Sequence, residues 1–257
     1  MCLIVFAYKT VPDAPLLFAG NRDEFYDRPT EQAHIWSTDP KMIAGKDKKA
    51  GGTWLGLSAN GNIAAITNYR DMHQFKPDAP SRGHIVKNAL TSHQSTEQYL
   101  ANLKSVAKEY NGFNLIAGNK EQLFYFSNQT MQIEEIKPGI YSLSNALLNT
   151  PWPKSEWAKE HFKKILDSGD HNPGHFFSLL KNSDTYPLQK LPETGLGREM
   201  EKAVSAVFIK TEGYGSRCST VMQLYSDNTF YFEERTYKAG TKIMDSKEVF
   251  TGFKASS

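Results

Sequence analysis

The sequence predicts an α+β fold built on two mainly antiparallel sheets. Three observations carry this. Short apolar runs of strand character gather at the two ends of the chain. Helical spacing dominates the middle. The runs are separated by turn dipeptides of the kind that close hairpins. Two stacked sheets flanked by helices would bury the apolar runs on both faces. The N-terminal strand would then be central, with residue two at the mouth of the sandwich.

The elements follow in order. Leu3–Tyr8 and Pro15–Ala19 are apolar runs separated by the turn-like Thr-Val-Pro-Asp. Gly52–Ser58 and Asn62–Asn68 flank Ala59-Asn60-Gly61, and Asn-Gly is a strong hairpin signal because both residues tolerate positive φ. Ser95 with Gln98 reads as a capping box, and Leu100, Leu103, Ala107 and Tyr110 follow at helical spacing. Phe113–Ala117 and Leu123–Phe126 form a second hairpin pattern about Gly118-Asn119, and Tyr141–Ser144 reads as a further strand. After the break at Pro151-Trp152-Pro153, Ala158, Phe162, Ile165 and Leu166 fall on one helical face. His175–Leu180 and the region of Glu199–Ala203 read as helices, and Ser219–Tyr225 and Phe230–Glu234 as closing strands.

The chain of 257 residues suits one large domain, and residues 1–257 are expected to form a single one. With 39% hydrophobic and 23% charged residues, its composition is that of an ordinary globular protein. A net charge of only +2 gives no broad basic field for nucleic acid or an acidic membrane. No apolar run approaches the ~20 residues of a membrane span. Leu3 to Tyr8 is too short for a secretory segment and lacks basic residues before it. A cytoplasmic location is expected, with Cys2 and Cys218 as free thiols.

Cys2 is the residue most open to a chemical reading. A small residue at position two usually permits removal of Met1, which would give Cys2 a free α-amino group beside its thiol. That pairs a nucleophile with a base on one residue. An α-amino group titrates near ~8 and so can accept a proton at neutral pH. Read without context, Cys2 is only the small first residue of a buried strand. The run Asn21-Arg22-Asp23-Glu24 follows the second strand and could return beside Cys2. An arginine there would favour thiolate, and a carboxylate would orient the amine.

Asn21 to Glu24 is also the signature of the NRDE family, the homologues of transport and Golgi organization protein 2. The resemblance continues through Phe25-Tyr26-Asp27-Arg28-Pro29, Gly51-Gly52-Thr53-Trp54-Leu55-Gly56, Ile66-Thr67-Asn68-Tyr69-Arg70 and Ser81-Arg82-Gly83. It resumes at Tyr141–Asn145, Trp152-Pro153-Lys154 and Gly213–Arg217. It implies a four-layer αββα sandwich of the N-terminal-nucleophile hydrolase type, distantly similar to penicillin V acylases and conjugated bile acid hydrolases. Cys2, Arg22 with Asp23 or Glu24, and Asn145 match stations of those acylases, where an asparagine side chain serves the oxyanion hole. Arg22/Asp23 and Arg22/Glu24 are both open as pairs, the first preferred.

Other residues have a plain reading and a functional one. Asn145 is either a turn cap or an oxyanion donor, and losing such a donor costs ~3 kcal/mol of barrier. Asn68, Tyr69 and Arg70 either end a strand in a local turn, or Asn68 and Arg70 project beside Cys2. Trp54 is core or a substrate contact. Arg217 is a surface ion pair or an anchor for a substrate carboxylate or phosphate. His171 and His175 are four apart, but Pro173-Gly174 breaks the helix that would align them, so no metal site is expected. Gly195-Leu196-Gly197 and Gly213–Ser216 lack the contexts of a dinucleotide loop and a nucleophile elbow.

Two functions follow. One is hydrolysis of a non-peptide amide or thioester of a small acyl compound, with no cofactor, through Cys2, Arg22, Asp23, Asn68 and Asn145, and with Glu24, Trp54, Tyr69, Arg70 and Arg217 contacting substrate. The other, implied by the resemblance, is a non-catalytic carrier of haem or of a hydrophobic lipid or acyl-CoA ligand. The sequence itself has no Cys-Pro haem motif.

Overall fold

The structure is a computed structural model and describes residues 2–253. Thirteen strands build two wholly antiparallel sheets among these residues. The first is ordered β10-β1-β2-β11-β12-β13, from Cys2–Tyr8 (β1), Leu16–Phe25 (β2), Gly139–Leu143 (β10), Tyr214–Leu224 (β11), Phe230–Tyr237 (β12) and Met244–Phe250 (β13). The second runs β3 to β9 in chain order: Thr30–Trp36, Met42–Asp47, Leu55–Ser58, Ile63–Asn68, Phe113–Gly118, Leu123–Ser127 and Gln132–Glu135.

Helices α1 (Gly83–Thr91) and α2 (Thr96–Val106) cover the outer face of the second sheet. Helices α3 (Pro153–Asp167) and α4 (Pro173–Leu180) cover the first, and a short α5 (Arg198–Ala203) precedes β11. The layers are therefore α, β, β, α, as expected, and no helix among the described residues is long and apolar enough to cross a membrane.

Strand alternation explains β1. Ile4, Phe6 and Tyr8 point between the sheets and pack with Phe18, Ile43 and Leu57. Leu3, Val5 and Ala7 point the other way, onto Phe162, Phe176 and Leu180 of the helices. Every residue of β1 is buried, so the run is apolar throughout rather than alternating. Each such Leu, Ile, Val or Phe contributes roughly 1.5–3 kcal/mol. The predicted Asn-Gly turn closes the β5–β6 hairpin, with Gly61 at φ 79°. The Ser95–Gln98 capping box starts α2.

The structure departs from the expected elements at six of its own. Strand β2 runs on to Phe25, so Asn21-Arg22-Asp23-Glu24 lies within a strand and not beyond its end. β3, β4, β9 and β13 were not anticipated. β3 and β4 are interrupted by polar residues, and β9 and β13 are largely exposed edges with no continuous apolar run. Helix α1 also escaped the helical pattern, because its start is set by Ser81-Arg82-Gly83 docking on Gly52 rather than by a side-chain cap.

Candidate active site

Cys2 opens β1 at one end of the sandwich. It pairs in register with Arg22 of β2, and Arg22 pairs in turn with Cys218 of β11. Cross-strand partners share a face, so the two thiols flank Arg22 in one row that faces the other sheet. Next to this row the sheets part around a cavity of about 540 Å³, with Cys2, Arg22, Trp54, Asn68 and Arg82 among its walls. The Cys2 carbonyl accepts a bond from Ser144 Oγ at 3.1 Å, which ties the start of β1 to the end of β10. Both cysteines are free thiols.

Period-two geometry divides the Asn-Arg-Asp-Glu tetrad between the faces of β2. Arg22 and Glu24 lie on the cavity side and form an ion pair at 3.6 Å. Glu24 also meets Arg28 at 3.7 Å, and Arg28 donates to Asp47 through Nε at 3.0 Å and Nη2 at 2.6 Å. Burial alone would raise the Asp47 carboxyl, but the Arg28 bonds and charge outweigh it and hold Asp47 below the usual range. The ion-pair partner of Arg22 is thus Glu24, the alternative that was less favoured.

Asn21 and Asp23 lie on the strand face toward the helix layer, and Asp23 also borders the cavity. Asn21 is wholly buried: its Nδ2 donates to the Leu180 and Val207 carbonyls at 2.9 and 2.8 Å, and its Oδ1 accepts from Ser219 Oγ at 2.6 Å. Asn21 therefore fastens the sheet to its helices. Asp23 Oδ1 accepts from Ser216 Oγ at 2.5 Å. Burial pushes the Asp23 carboxyl up to about 6, against the opposing pull of Lys154, Ser216 and Arg22.

The electrostatics at Cys2 differ from the simple expectation. Burial pushes the thiol up and the Asp23 charge adds to the rise, while a bond from the Asp23 backbone and the Arg22 charge oppose it. An arginine in register does not suffice to favour thiolate here, because burial outweighs its charge. Cys218 is raised further, by burial first and by the Glu234 carboxylate second.

Asn68, the last residue of β6, is half-buried and lines the cavity. Asn145 stands behind it. Its Nδ2 donates to the Asn68 carbonyl at 2.9 Å, its Oδ1 accepts from Ser144 Oγ at 3.3 Å, and its own carbonyl accepts from the Arg70 backbone at 2.8 Å. Asn145 is wholly buried and is joined to the cavity wall through Asn68. Trp54 lines the cavity and packs over Gly20 of β2, where a Cβ would come within 3.3 Å of the indole.

Three of the expected substrate contacts are engaged elsewhere. Arg70 turns away from the cavity into a buried ion pair, Nη2 to Glu201 Oε2 at 2.7 Å, with its guanidinium 4.8 Å from the Trp152 ring centre. Tyr69 lies beyond the cavity wall, its backbone N–H bonded to the Gly112 carbonyl at 2.9 Å. Arg217 does border the cavity, from a β-bulge between Ser216 and Cys218. Its Nη1 is taken up by the carbonyls of Phe25, Tyr26 and Arg28 at 2.8–3.1 Å, and its Nη2 donates to Thr30 Oγ1 at 3.3 Å. Arg217 thus fixes the turn from β2 into β3.

Sequence reasoning missed three residues. Arg82 lines the cavity and donates to the Gly112 carbonyl at 2.8 Å. Glu234 of β12 accepts from the Ala33 backbone at 2.7 Å, bridging the two sheets. Lys154, near the start of α3, is buried, and its Nζ donates to the Val204 carbonyl at 3.0 Å. Arg82 and Lys154 stood within the quoted blocks, but nothing in those blocks distinguishes a buried cation from a surface one. Among the described residues no cluster of three or more His, Cys, Asp or Glu is placed to hold a metal ion. His175 instead meets Asp170 at 2.9 Å on the surface.

Comparison with solved structures supports the fold. A C2A mutant of conjugated bile acid hydrolase from Clostridium perfringens superposes with a TM-score of 0.53 over 98% of this chain and 92% of that one, at 10% sequence identity. The αββα layers are those of the N-terminal-nucleophile hydrolases. Comparison of sequences reaches further. The chain is 34% identical to the bovine transport and Golgi organization protein 2 homologue and 33% identical to its mouse and human counterparts, over 92% of this chain and 93% of each relative. The sequence model described as Transport and Golgi organisation 2 matches residues 1–239. The chain therefore belongs to the transport and Golgi organisation 2 family.

Proposed function

We propose that this protein is an N-terminal cysteine hydrolase that cleaves a non-peptide amide or a thioester of a small acyl compound. The observation that carries the reading is the place of Cys2: the first residue of an interior strand, on the wall of the cavity, in register with Arg22. A likeness of fold to a bile acid hydrolase whose C2A mutant was studied agrees with a working residue at position two in that protein, and fold alone does not fix activity.

With Met1 removed, the Cys2 thiol passes its proton to its own α-amine and the sulfur attacks the substrate carbonyl. The side-chain amide of Asn68 donates to the oxyanion that forms, and Asn145 holds Asn68 in place through its carbonyl. The C–N or C–S bond breaks, the leaving group takes the proton from the amine, and an acyl thioester remains on Cys2. Water then adds to the thioester, giving the free acid and the regenerated thiol. Asp23 holds the amine, and Arg22 with Glu24 fixes the charge around the sulfur. The burial that raises the thiol is compatible with this route, since the proton moves to the adjacent amine as the sulfur attacks and no standing thiolate is required.

The cavity fits haem iron poorly. Among the described residues no histidine or methionine lines it, and the sulfur ligands on offer, Cys2 and Cys218, are both held toward the protonated form. The test uses purified protein with its intact mass determined and a Cys2→Ala variant, each offered a panel of acyl amides and thioesters. Turnover by the wild type that is lost in the variant, from protein lacking Met1, supports the reading. Equal turnover by both, or none by either, removes it.

A further inference from the structure

Among the described residues four arginines line the cavity, and three of them are committed to partners. Arg22 is paired with Glu24, Arg28 with Glu24 and Asp47, and Arg217 with the carbonyls of the turn after β2. Arg82 differs. Among the described residues it forms no ion pair, and its hydrogen bond runs from Nη1 to the Gly112 carbonyl at 2.8 Å. Its Nε and Nη2 make no bond there. Neither belongs to the buried polar atoms left without a partner, so both reach open space, and the cavity is the space that Arg82 borders. Burial pulls the guanidinium pKa down, although an arginine stays protonated.

The side chain is held at both ends. Its backbone stands just before α1, where Gly83 docks on the start of β5: the Gly83 carbonyl accepts from the Thr53 N–H at 3.2 Å, and a Cβ on Gly52 would lie 2.4 Å from the Gly83 carbonyl carbon. At the other end, the Gly112 carbonyl that takes Nη1 also accepts the Tyr69 N–H at 2.9 Å. Two donors on one oxygen place the guanidinium beside the residue that follows Asn68. Asn68 is joined in turn to Cys2. Its carbonyl accepts from Asn145 Nδ2, and Ser144 Oγ contacts both the Asn145 side chain and the Cys2 carbonyl. A chain of bonds thus fixes Cys2, Asn68 and Arg82 relative to one another.

Nε–H and Nη2–H lie parallel on one edge of a guanidinium, the edge that Arg28 turns to Asp47 through the same two atoms. That fork matches the two oxygens of a carboxylate. Held in place beforehand, it loses little side-chain freedom when it binds. The lysines of the cavity wall add little: Lys46 lies over the Trp36 ring and Lys49 is exposed. A single available guanidinium suits a single negative charge, a carboxylate in preference to a phosphate dianion.

We propose that Arg82 anchors a carboxylate carried by the bound acyl compound: the carboxylate takes Nε and Nη2, while the carbonyl to be cleaved lies over Asn68 and Cys2. The orientation of the cleaved bond rests on the hydrolase reading, and the anion site itself is tested by binding alone.

The test uses full-length Cys2→Ala protein, in which binding is measured apart from Cys2 chemistry, and isothermal titration calorimetry. The probes are N-hexanoylglycine, with its carboxylate on the amine side, and the mono-butylamide of glutaric acid, with its carboxylate on the acyl side. Each is set beside its neutral primary amide, and hexyl phosphate is a third anion. At least one acid should bind about tenfold or more tightly than its neutral amide, the preference expected of a charge-assisted pair. Adding Arg82→Gln, whose amide can still serve the Gly112 carbonyl, should bring that preference to within about twofold. Arg82→Lys should keep part of it. In arginine Nε–H NMR spectra of the Cys2→Ala protein, the preferred acid should shift one signal that Arg82→Lys lacks and that the neutral amide leaves in place.

Equal binding of acid and amide overturns the proposal without any variant of Arg82. A preference that survives Arg82→Gln overturns it, as does hexyl phosphate binding as the sole anion that depends on Arg82. If the preference falls with Arg82 while Cys2→Ala matches the wild type in turnover, the hydrolase reading fails and the carboxylate site stands. If Cys2→Ala abolishes turnover and the preference ignores Arg82, the anchor fails and the hydrolase reading stands.

Discussion

Replacing Glu201 by Gln should destabilise the protein by about 3–5 kcal/mol while leaving Cys2 chemistry in place. Glu201 is 2% exposed and its partner Arg70 only 6%. Glu201 Oε2 accepts from Arg70 Nη2 at 2.7 Å, and Oε1 accepts from the Thr194 backbone and hydroxyl at 3.0 and 2.5 Å. Glutamine retains one acceptor oxygen. Once that oxygen serves Thr194, its amide NH2 faces the guanidinium, donor against donor. Removing one partner of such a buried pair typically costs about 3–5 kcal/mol, since the other charge is left in a poorly solvating site. Against a total stability of roughly 5–15 kcal/mol, that is a large fraction. With a urea slope near ~3 kcal/mol/M for a chain of this size, the midpoint should fall by roughly 1–2 M.

The assay is urea unfolding followed by tryptophan fluorescence, beside the rate of Cys2 alkylation by iodoacetamide in the native protein. The double variant Arg70→Met with Glu201→Leu should recover most of the loss, because replacing both charges with apolar groups is often nearly neutral. Arg70 lies outside the cavity, so all these variants should alkylate at Cys2 within about twofold of the wild type. Arg70→Met that unfolds at the wild-type midpoint, yet changes Cys2 reactivity or substrate KM, would refute the structural assignment and restore Arg70 as a substrate contact.

Two further outcomes test the frame that positions the site. Asn21→Leu removes the amide that serves the Leu180 and Val207 carbonyls and the acceptor of the Ser219 hydroxyl. At roughly 1–3 kcal/mol for each buried group left unmade, thermal unfolding should show a loss of about 3 kcal/mol or more. Gly52→Ala would place a Cβ 2.4 Å from the Gly83 carbonyl carbon, so the start of α1 must shift; calorimetry should show a loss of about 1–3 kcal/mol. Gly61→Ala meets no atom within 4 Å and should cost only the ~1–2 kcal/mol of a left-handed alanine at φ 79°.

Much of the fold was legible because its core strands declare themselves. β1, β7 and β8 are buried from end to end, and apart from Asn114 and Ser127 their residues are apolar or aromatic. The Asn60-Gly61 turn and the Ser95 cap are local chemistry, readable from four residues at a time. β3 and β13 were not legible, since an edge strand or one facing a polar cleft needs no apolar rhythm. At the site, the register of Cys2 with Arg22 follows from two adjacent strands and was foreseeable. The fates of Arg70, Tyr69 and Arg217 were not. Whether an arginine meets a ligand, a carboxylate or a row of backbone carbonyls depends on which loops close over it, and the partners here lie up to 192 positions away in sequence.

The tetrad Asn21-Arg22-Asp23-Glu24 shows why a motif can be right in place and still misread in role. Treated as a polar run beyond a strand, its members seem to share one site, and Arg22 with Asp23 is the natural pair. Inside β2 the same residues must alternate. Arg22 and Glu24 face the cavity and form an ion pair, whereas Asn21 fastens the helix layer and Asp23 accepts from the Ser216 hydroxyl. One short strand segment thus works on two faces at once: a charged lining in front and a buried hydrogen-bond network behind, with Cys2 across the ladder from Arg22. A single-residue insertion between Asn21 and Glu24 would exchange those faces, which is why the contiguity of the four residues matters as much as their identities.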